Sequence, residues 1–264
     1  MKRKEIQIIK KLSKKLKQLN QREYLHHFGP KKFKFVHHAF ALLMKESLKC
    51  SFRRCVKILK MFDVMTPTHS ALCKSRKRIP ISIWNSLLKL TAGNHSGIVA
   101  VDGTGFSRTN PSFHYLKRID GKSPRGFAKL SAFFDLIRKK FLAIRVRSKP
   151  RHDMKDVKPL LKKVSKIRKL FGDSAYDAES LHEICHNRKI QTIIKPRKNV
   201  RRGHFRKSQM KKYSDEEYHQ RSLIESGFGS LKRKYGGSVL ARKAKGVKAE
   251  LYCRAIAHNI GLMN

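Results

Sequence analysis

Acid is scarce in this sequence. Its 264 residues hold 18 aspartates and glutamates against 63 lysines and arginines, a formal net charge of +45. A solvated basic face is a poor explanation for so large an excess. A polyanion is the expected partner, because each neutralised phosphate releases condensed counterions. Long apolar runs are missing as well, and none approaches the length of a membrane span. The opening MKRKEIQIIKKLSKK has no secretory hydrophobic core, and its Glu5 and evenly spread cations argue against a transit peptide. Without a long amphipathic anchor, nucleic acid is favoured over an anionic membrane surface. The five cysteines are odd in number and form no C-x-x-C pair. They fit a reduced cytosolic compartment, with the thiols acting as small core residues, and the charge places the protein near DNA or RNA. No G-x-x-x-x-G-K-[ST] occurs, which excludes a P-loop nucleotide hydrolase. What is present is a 40% apolar fraction, enough for a packed core.

Residues 1–95 read as helical. In KEIQIIKKLSKKLKQL, Ile6, Ile9, Leu12 and Leu16 recur at helical spacing, and FVHHAFALLMKESLK is a second candidate. Residues 51–78, SFRRCVKILKMFDVMTPTHSALCKSRKR, predict an apolar helix around 56–62 and a break at 63–66. A short helix then runs from Pro67 to about Arg78, with Thr66 as N-cap and proline in the first turn. Helix, turn and a second helix ending in Arg76, Lys77 and Arg78 resembles a helix-turn-helix, so these three are candidate DNA contacts. Two ordinary core helices would give the same pattern.

Gly93 and Gly97 mark a boundary beyond which the period changes, separating residues 1–95 from 96–264. GIVAVDGTGF, KLSAFFDLI, FLAIRVRSK, KLFGDSAY and QTIIKPRKN predict strands, the first ending at Asp102 and the fourth near Asp173. HDMKDVKPLLKKVSKI and AESLHEICHNRK predict helices, residues 200–212 a mobile basic loop, and a closing helix begins near Asp215, its cap. This order is mixed α/β, a five-stranded sheet flanked by helices.

Acids at strand ends emerge together in α/β sheets, which singles out Asp102 and Asp173 among nine aspartates. A third acid, Glu225, stands in YHQRSLIESGFGSLKRKYG, which is otherwise basic, small or apolar. At about 100° per residue from Tyr218, Arg221, Glu225 and Lys232 fall at roughly 300°, 340° and 320°. One helix stripe therefore carries Tyr, Arg, Glu and Lys, beside an apolar stripe of Leu223, Ile224, Gly227, Phe228 and Leu231. A solubilising Arg–Glu pair on a surface helix would share part of this pattern.

The spacing Y-x2-R-x3-E-x6-K, written by Tyr218, Arg221, Glu225 and Lys232, resembles the signature of the DDE transposases of bacterial and archaeal insertion sequences. AVDGTGF and GDSAYD are similar to the family's two catalytic strands, KPRHDMKDVKPLL to its His-Asp segment and TIIKPRKN to its fifth strand. The likeness covers roughly residues 95–260, and residues 51–78 are similar to the family's helical DNA-binding region. The resemblance implies an RNase H-like fold with Asp102, Asp173 and Glu225 holding two Mg²⁺ or Mn²⁺ ions. Hard oxygen ligands suit those ions, and two of them can serve an in-line displacement at phosphorus. It also implies that Tyr218, Arg221 and Lys232 contact phosphates of double-stranded DNA, and that the protein works as a homodimer on paired DNA ends. Only 52 residues separate Asp173 from Glu225, too few for a large insertion domain.

His182, Glu183 and His186 write H-E-x-x-H, the spacing of a zinc protease helix. A zinc protease needs a third ligand and has no use for such positive charge, so the two histidines are expected to face solvent or DNA. The leading expectation is a metal-dependent transposase acting on insertion-sequence ends. The alternatives are an RNase H-like nuclease without strand transfer and a non-catalytic basic nucleic-acid-binding protein. On the electrostatic argument, affinity for duplex DNA should fall steeply with salt, log K against log [salt] having a slope near −0.9 for each phosphate engaged. Titrations at several salt concentrations measure it, and a flat response would contradict the basic footprint.

Overall fold

Val99, Ala100 and Val101 form an unbroken apolar run, and all three are wholly buried, as expected of a strand covered on both faces. The computed structural model of the protein describes residues 14–19, 22–25, 28, 31–108, 127–148, 152–197, 202–211 and 213–262. The helix expected at residues 4–19 lies largely outside them. The chain divides into two compact units: Met1–Thr91, Ser107–Gly126 and Leu231–Asn264 in one, Ala92–Phe106 and Phe127–Ser230 in the other.

The second unit is built on strands β1 (Ile98–Arg108), β2 (Phe127–Asp135), β3 (Lys140–Arg147), β4 (Lys169–Gly172) and β5 (Gln191–Ile194), ordered β3-β2-β1-β4-β5. β2 and β3 form an antiparallel hairpin, whereas β1, β4 and β5 run parallel. This mixed sheet flanked by helices is the RNase H-like fold. The Asp135 carboxylate is fully buried and accepts hydrogen bonds from the Ser96 amide and hydroxyl and from the Ile137 and Arg138 amides. It ties the hairpin turn to the residues that lead into β1. The helices of this unit are α5 (Met154–Leu161), α6 (Glu179–Asn187), α7 (His204–Met210), α8 (Asp215–Tyr218) and the start of α9 (Ser222–Tyr235). One core joins Val99, Val101, Leu170, Leu160, Leu181 and Cys185. α9 seats through Phe228, whose ring stacks on Phe141 at 5.9 Å.

The first unit holds α1 (Phe35–Ser47), α2 (Phe52–Met61), α3 (His69–Arg78), most of α4 (Ile81–Ala92), and α10 (Ala244–Gly261). Here α10 packs on α1 and α3. Its Arg254 donates to Glu46 and Glu250, and Glu250 also accepts the Leu240 and Ala241 amides and pairs with Arg76. These groups are almost wholly buried, so each charge is matched where water cannot reach it. A two-residue strand, β6 (Ser238–Val239), pairs with Ser107 and Arg108 at the far end of β1 and brings the sheet to six strands.

Several sequence expectations are corrected. β1 does not stop at Asp102 but runs six residues further. α3 begins at His69, capped by Thr68 rather than Thr66, and Pro67 lies outside the helix. The cap of α8 is Ser214, not Asp215. Residues 204–210, expected in a loop, are helical, because the distant Glu179 carboxylate accepts the Phe205 and Arg206 amides at the helix start. α10 went unrecognised beyond the Gly236–Gly237 break. Among the described residues, no helix is long and apolar enough to cross a membrane, and the five cysteines are free thiols.

Gly227 has no room for a side chain, since a Cβ there would lie 2.7 Å from the Phe134 ring. Gly227→Ala should therefore lower stability by about 1–2 kcal/mol, overpacking costing roughly 1–3 and helix propensity returning up to about 1. Urea denaturation measures this.

Candidate active site

The parallel register of β1 and β4 sets Ala100 opposite Phe171, and carrying it on two residues sets Asp102 beside Asp173. Asp173 follows the last residue of β4, where its Oδ1 accepts the Ala175 amide at 2.9 Å and opens the short 3₁₀ turn Ser174–Tyr176. Asp102 lies within β1, half-buried, with Oδ1 accepting the Gly103 amide at 2.7 Å. Glu225 arrives from the first turn of α9. Arg221 joins two of the acids: its Nη2 donates to Glu225 Oε1 at 2.6 Å, and its Nη1 stands 3.5 Å from Asp102 Oδ2.

The helical stripe is built with one modification. Between α8 and α9 the chain tightens into a 3₁₀ turn, His219–Arg221, so the 100° step does not hold throughout. Residues three apart eclipse in a 3₁₀ turn, which fits the Arg221 guanidinium lying 5.8 Å from the centre of the Tyr218 ring. Lys169 on β4 holds the preceding segment by an ion pair to Glu217 at 2.5 Å. Ile224, Gly227, Phe228 and Leu231 are buried, while Glu225 is 57% exposed at its side chain. Lys232 lies two helical turns beyond Glu225 on the same helix, in the portion that belongs to the other unit.

Burial pushes the Asp102 carboxyl above the ordinary aspartate value, and the negative charges of Asp173 and Glu225 add to the rise. The Gly103 N–H and Arg221 oppose it. Beneath the site Tyr176 is buried, its phenol pushed upward by burial and then by Asp102, Asp173 and Asp156. Its hydroxyl has no hydrogen-bond partner among the described residues. Among the described residues, no three His, Cys, Asp or Glu side chains converge closely enough to hold one ion. A guanidinium is wider than a metal ion, so carboxylates bridged by Arg221 stand farther apart than carboxylates sharing an ion would. The donor set still fits hard divalent cations: three carboxylates, two of them already turned to one positive group.

Sequence reasoning missed Arg197. Its Nε and Nη2 donate to the Ser174 and Ala175 carbonyls, and its amide to Asp177, clamping the turn that carries Asp173. Of the two H-E-x-x-H histidines, His182 does not face outward as expected, whereas His186 does. His182 is buried, its Nε2 3.1 Å from Asp177 and its Nδ1 2.9 Å from Thr192, and burial lowers its pKa. Glu183 and His186 are exposed. The two histidines thus differ in surroundings, one consumed by the core. The His-Asp segment is structural in its contacts too, Asp153 pairing with Lys129 and the buried Asp156 with Arg145 and Arg147.

In the helical unit, Lys77 and Arg78 are exposed, but Arg76 is not. Its guanidinium lies 5.2 Å from the centre of the Phe52 ring and 3.5 Å from Glu250, which corrects the expectation of a surface DNA contact there. Comparison with known families gives a match to the transposase DDE domain over residues 93–260. No curated relative matches the chain.

The raised Asp102 pKa carries a sign. A carboxyl harder to ionise when folded lowers stability above its folded pKa, and the loss disappears below its unfolded pKa. Without divalent metal at neutral pH, Asp102→Asn should stabilise the protein by about 0.5–2 kcal/mol. Thermal melts across acid pH check this, the gain shrinking as pH falls through the raised folded pKa and vanishing below the ordinary aspartate value of 3.8.

Proposed function

The chain belongs to the transposase DDE domain family, and on that premise we propose that it binds the ends of an insertion sequence and catalyses strand cleavage and strand transfer. Members of this family are in general DNA-binding, metal-dependent DNA-cleaving enzymes. The observation that carries the reading for this chain is the shared cation position: Asp102 and Glu225 both face one positive group, with Asp173 in register beside Asp102.

Asp102, Asp173 and Glu225 would hold two Mg²⁺ or Mn²⁺ ions, which activate the attacking oxygen and stabilise the leaving one at phosphorus. The protein's own groups do the rest. In the cleavage step, water oxygen bonds to phosphorus as the bond to the 3′ oxygen breaks, leaving a 3′-hydroxyl. In the joining step that hydroxyl attacks a target phosphate and displaces its 3′ oxygen. Arg221 holds the Asp102 and Glu225 carboxylates, and with Tyr218 it would contact the DNA phosphates. Lys232, further along α9, binds phosphate as a point charge. Residues 1–95 supply DNA contacts, with the helix pair in residues 51–78 presenting Lys77 and Arg78, while residues 96–264 supply the chemistry. A homodimer would hold two ends together.

Glu225→Gln should reduce cleavage of duplex DNA at least about a hundredfold, since losing even a group that supports a metal ligand costs 10–100-fold. DNA affinity measured in a chelator should stay within about twofold, because with no ion bound the Glu225 carboxylate makes no phosphate contact of its own. Residual cutting by the variant at the wild-type rate would sink the assignment. Joined strand products from the wild-type protein separate transfer from simple nuclease action.

A further inference from the structure

Large apolar side chains cluster in the open between two basic helices. Met61, the last residue of α2, and Phe62 and Met65, in the link from α2 to α3, are 75%, 68% and 60% exposed. Solvated apolar groups this close together mark an interaction surface. The link is not a loose loop. The Val64 amide donates to the Leu59 carbonyl and the Asp63 amide to the Lys60 carbonyl, with Asp63 at φ 53°. That is a Schellman closure of α2, with a left-handed residue just past the helix end. Downstream, Thr66 and Pro67 are buried and pin the other side. The fold therefore fixes Met61 and Phe62 in the open.

The charge around this tip chooses the partner. Residues 52–78 contain eight lysines and arginines and a single acid, Asp63. Lys57 and Lys60 are exposed on α2, one turn apart and immediately before the tip, and Lys77 and Arg78 are exposed at the end of α3. A second copy would bring the same cations face to face. We propose that Met61, Phe62 and Met65 form a wedge that enters between base pairs of double-stranded DNA while the flanking lysines hold the phosphates. Apolar side chains inserted at flexible steps unstack and kink a duplex, and flanking cations draw the bent backbone inward. This inference rests on the reading that residues 51–78 face DNA.

The test uses the full chain and short duplexes carrying 2-aminopurine at TA and CA steps, with donor and acceptor dyes at the two ends. The wild-type protein should raise 2-aminopurine emission and shorten the end-to-end distance. The triple variant Met61→Ala, Phe62→Ala, Met65→Ala should lose both signals and bind about 5- to 100-fold more weakly, the range of lost base–side-chain stacking. Its salt slope should be unchanged, and so should its melting temperature, because all three side chains are exposed. Retention of both signals and of affinity by the variant would overturn the wedge. So would a shift from dimer to monomer in sedimentation with DNA distortion intact, which would make the tip a contact between copies. Lys57→Gln with Lys60→Gln separates the two readings. If these changes leave affinity and salt slope untouched, the DNA-facing reading itself falls; if they weaken binding and the apolar variant does not, only the wedge falls.

Discussion

Carboxylates brought together repel one another, and much of the second unit works to bring Asp102, Asp173 and Glu225 together despite it. Burial, and then the negative charges of Asp173 and Glu225, push the Asp102 carboxyl upward. Parallel pairing of β1 with β4 fixes the first two acids, and the Arg197 clamp stiffens the turn behind the second. The third is held by packing that leaves no slack, Phe228 on Phe141 and the bare backbone of Gly227 against Phe134. Arg221 then supplies the positive charge that makes the arrangement tolerable without an ion.

Features that depend on neighbours in sequence were legible before the fold was known. The apolar runs around Val99 and Leu170 gave their strands, and the stripe of Ile224, Gly227, Phe228 and Leu231 gave the buried face of α9, hence the outward position of Glu225. The signature Tyr218, Arg221, Glu225 and Lys232 pointed to the family without any coordinates. What stayed hidden depends on partners far along the chain. α7 is capped by Glu179, 26 and 27 residues before the amides it accepts. Arg76 reads as one of three surface cations until Glu250 and Phe52 are seen beside it.

H-E-x-x-H shows the same limit from the other side. Spacing alone offers two imidazoles one helical turn apart, but whether both are available depends on what packs over the helix. Asp177 takes His182, and the same carboxylate accepts Arg206 and the Arg197 amide, so hydrogen bonds outweigh the burial that would raise its pKa. The motif's first histidine is part of the frame behind Asp173, joined to it through Arg197, rather than a free ligand.

The buried pairing of Arg254 with Glu46 joins residues 208 positions apart. During synthesis at roughly 5–20 residues per second, about 10–40 s pass between the appearance of these partners. For that interval α1 carries a buried-type acid whose far partner does not yet exist, and Lys45 beside it is the cation at hand. The helical unit can close only once α10 has been made, so a message cut short before α10 yields a basic chain with an open core instead of a smaller working protein.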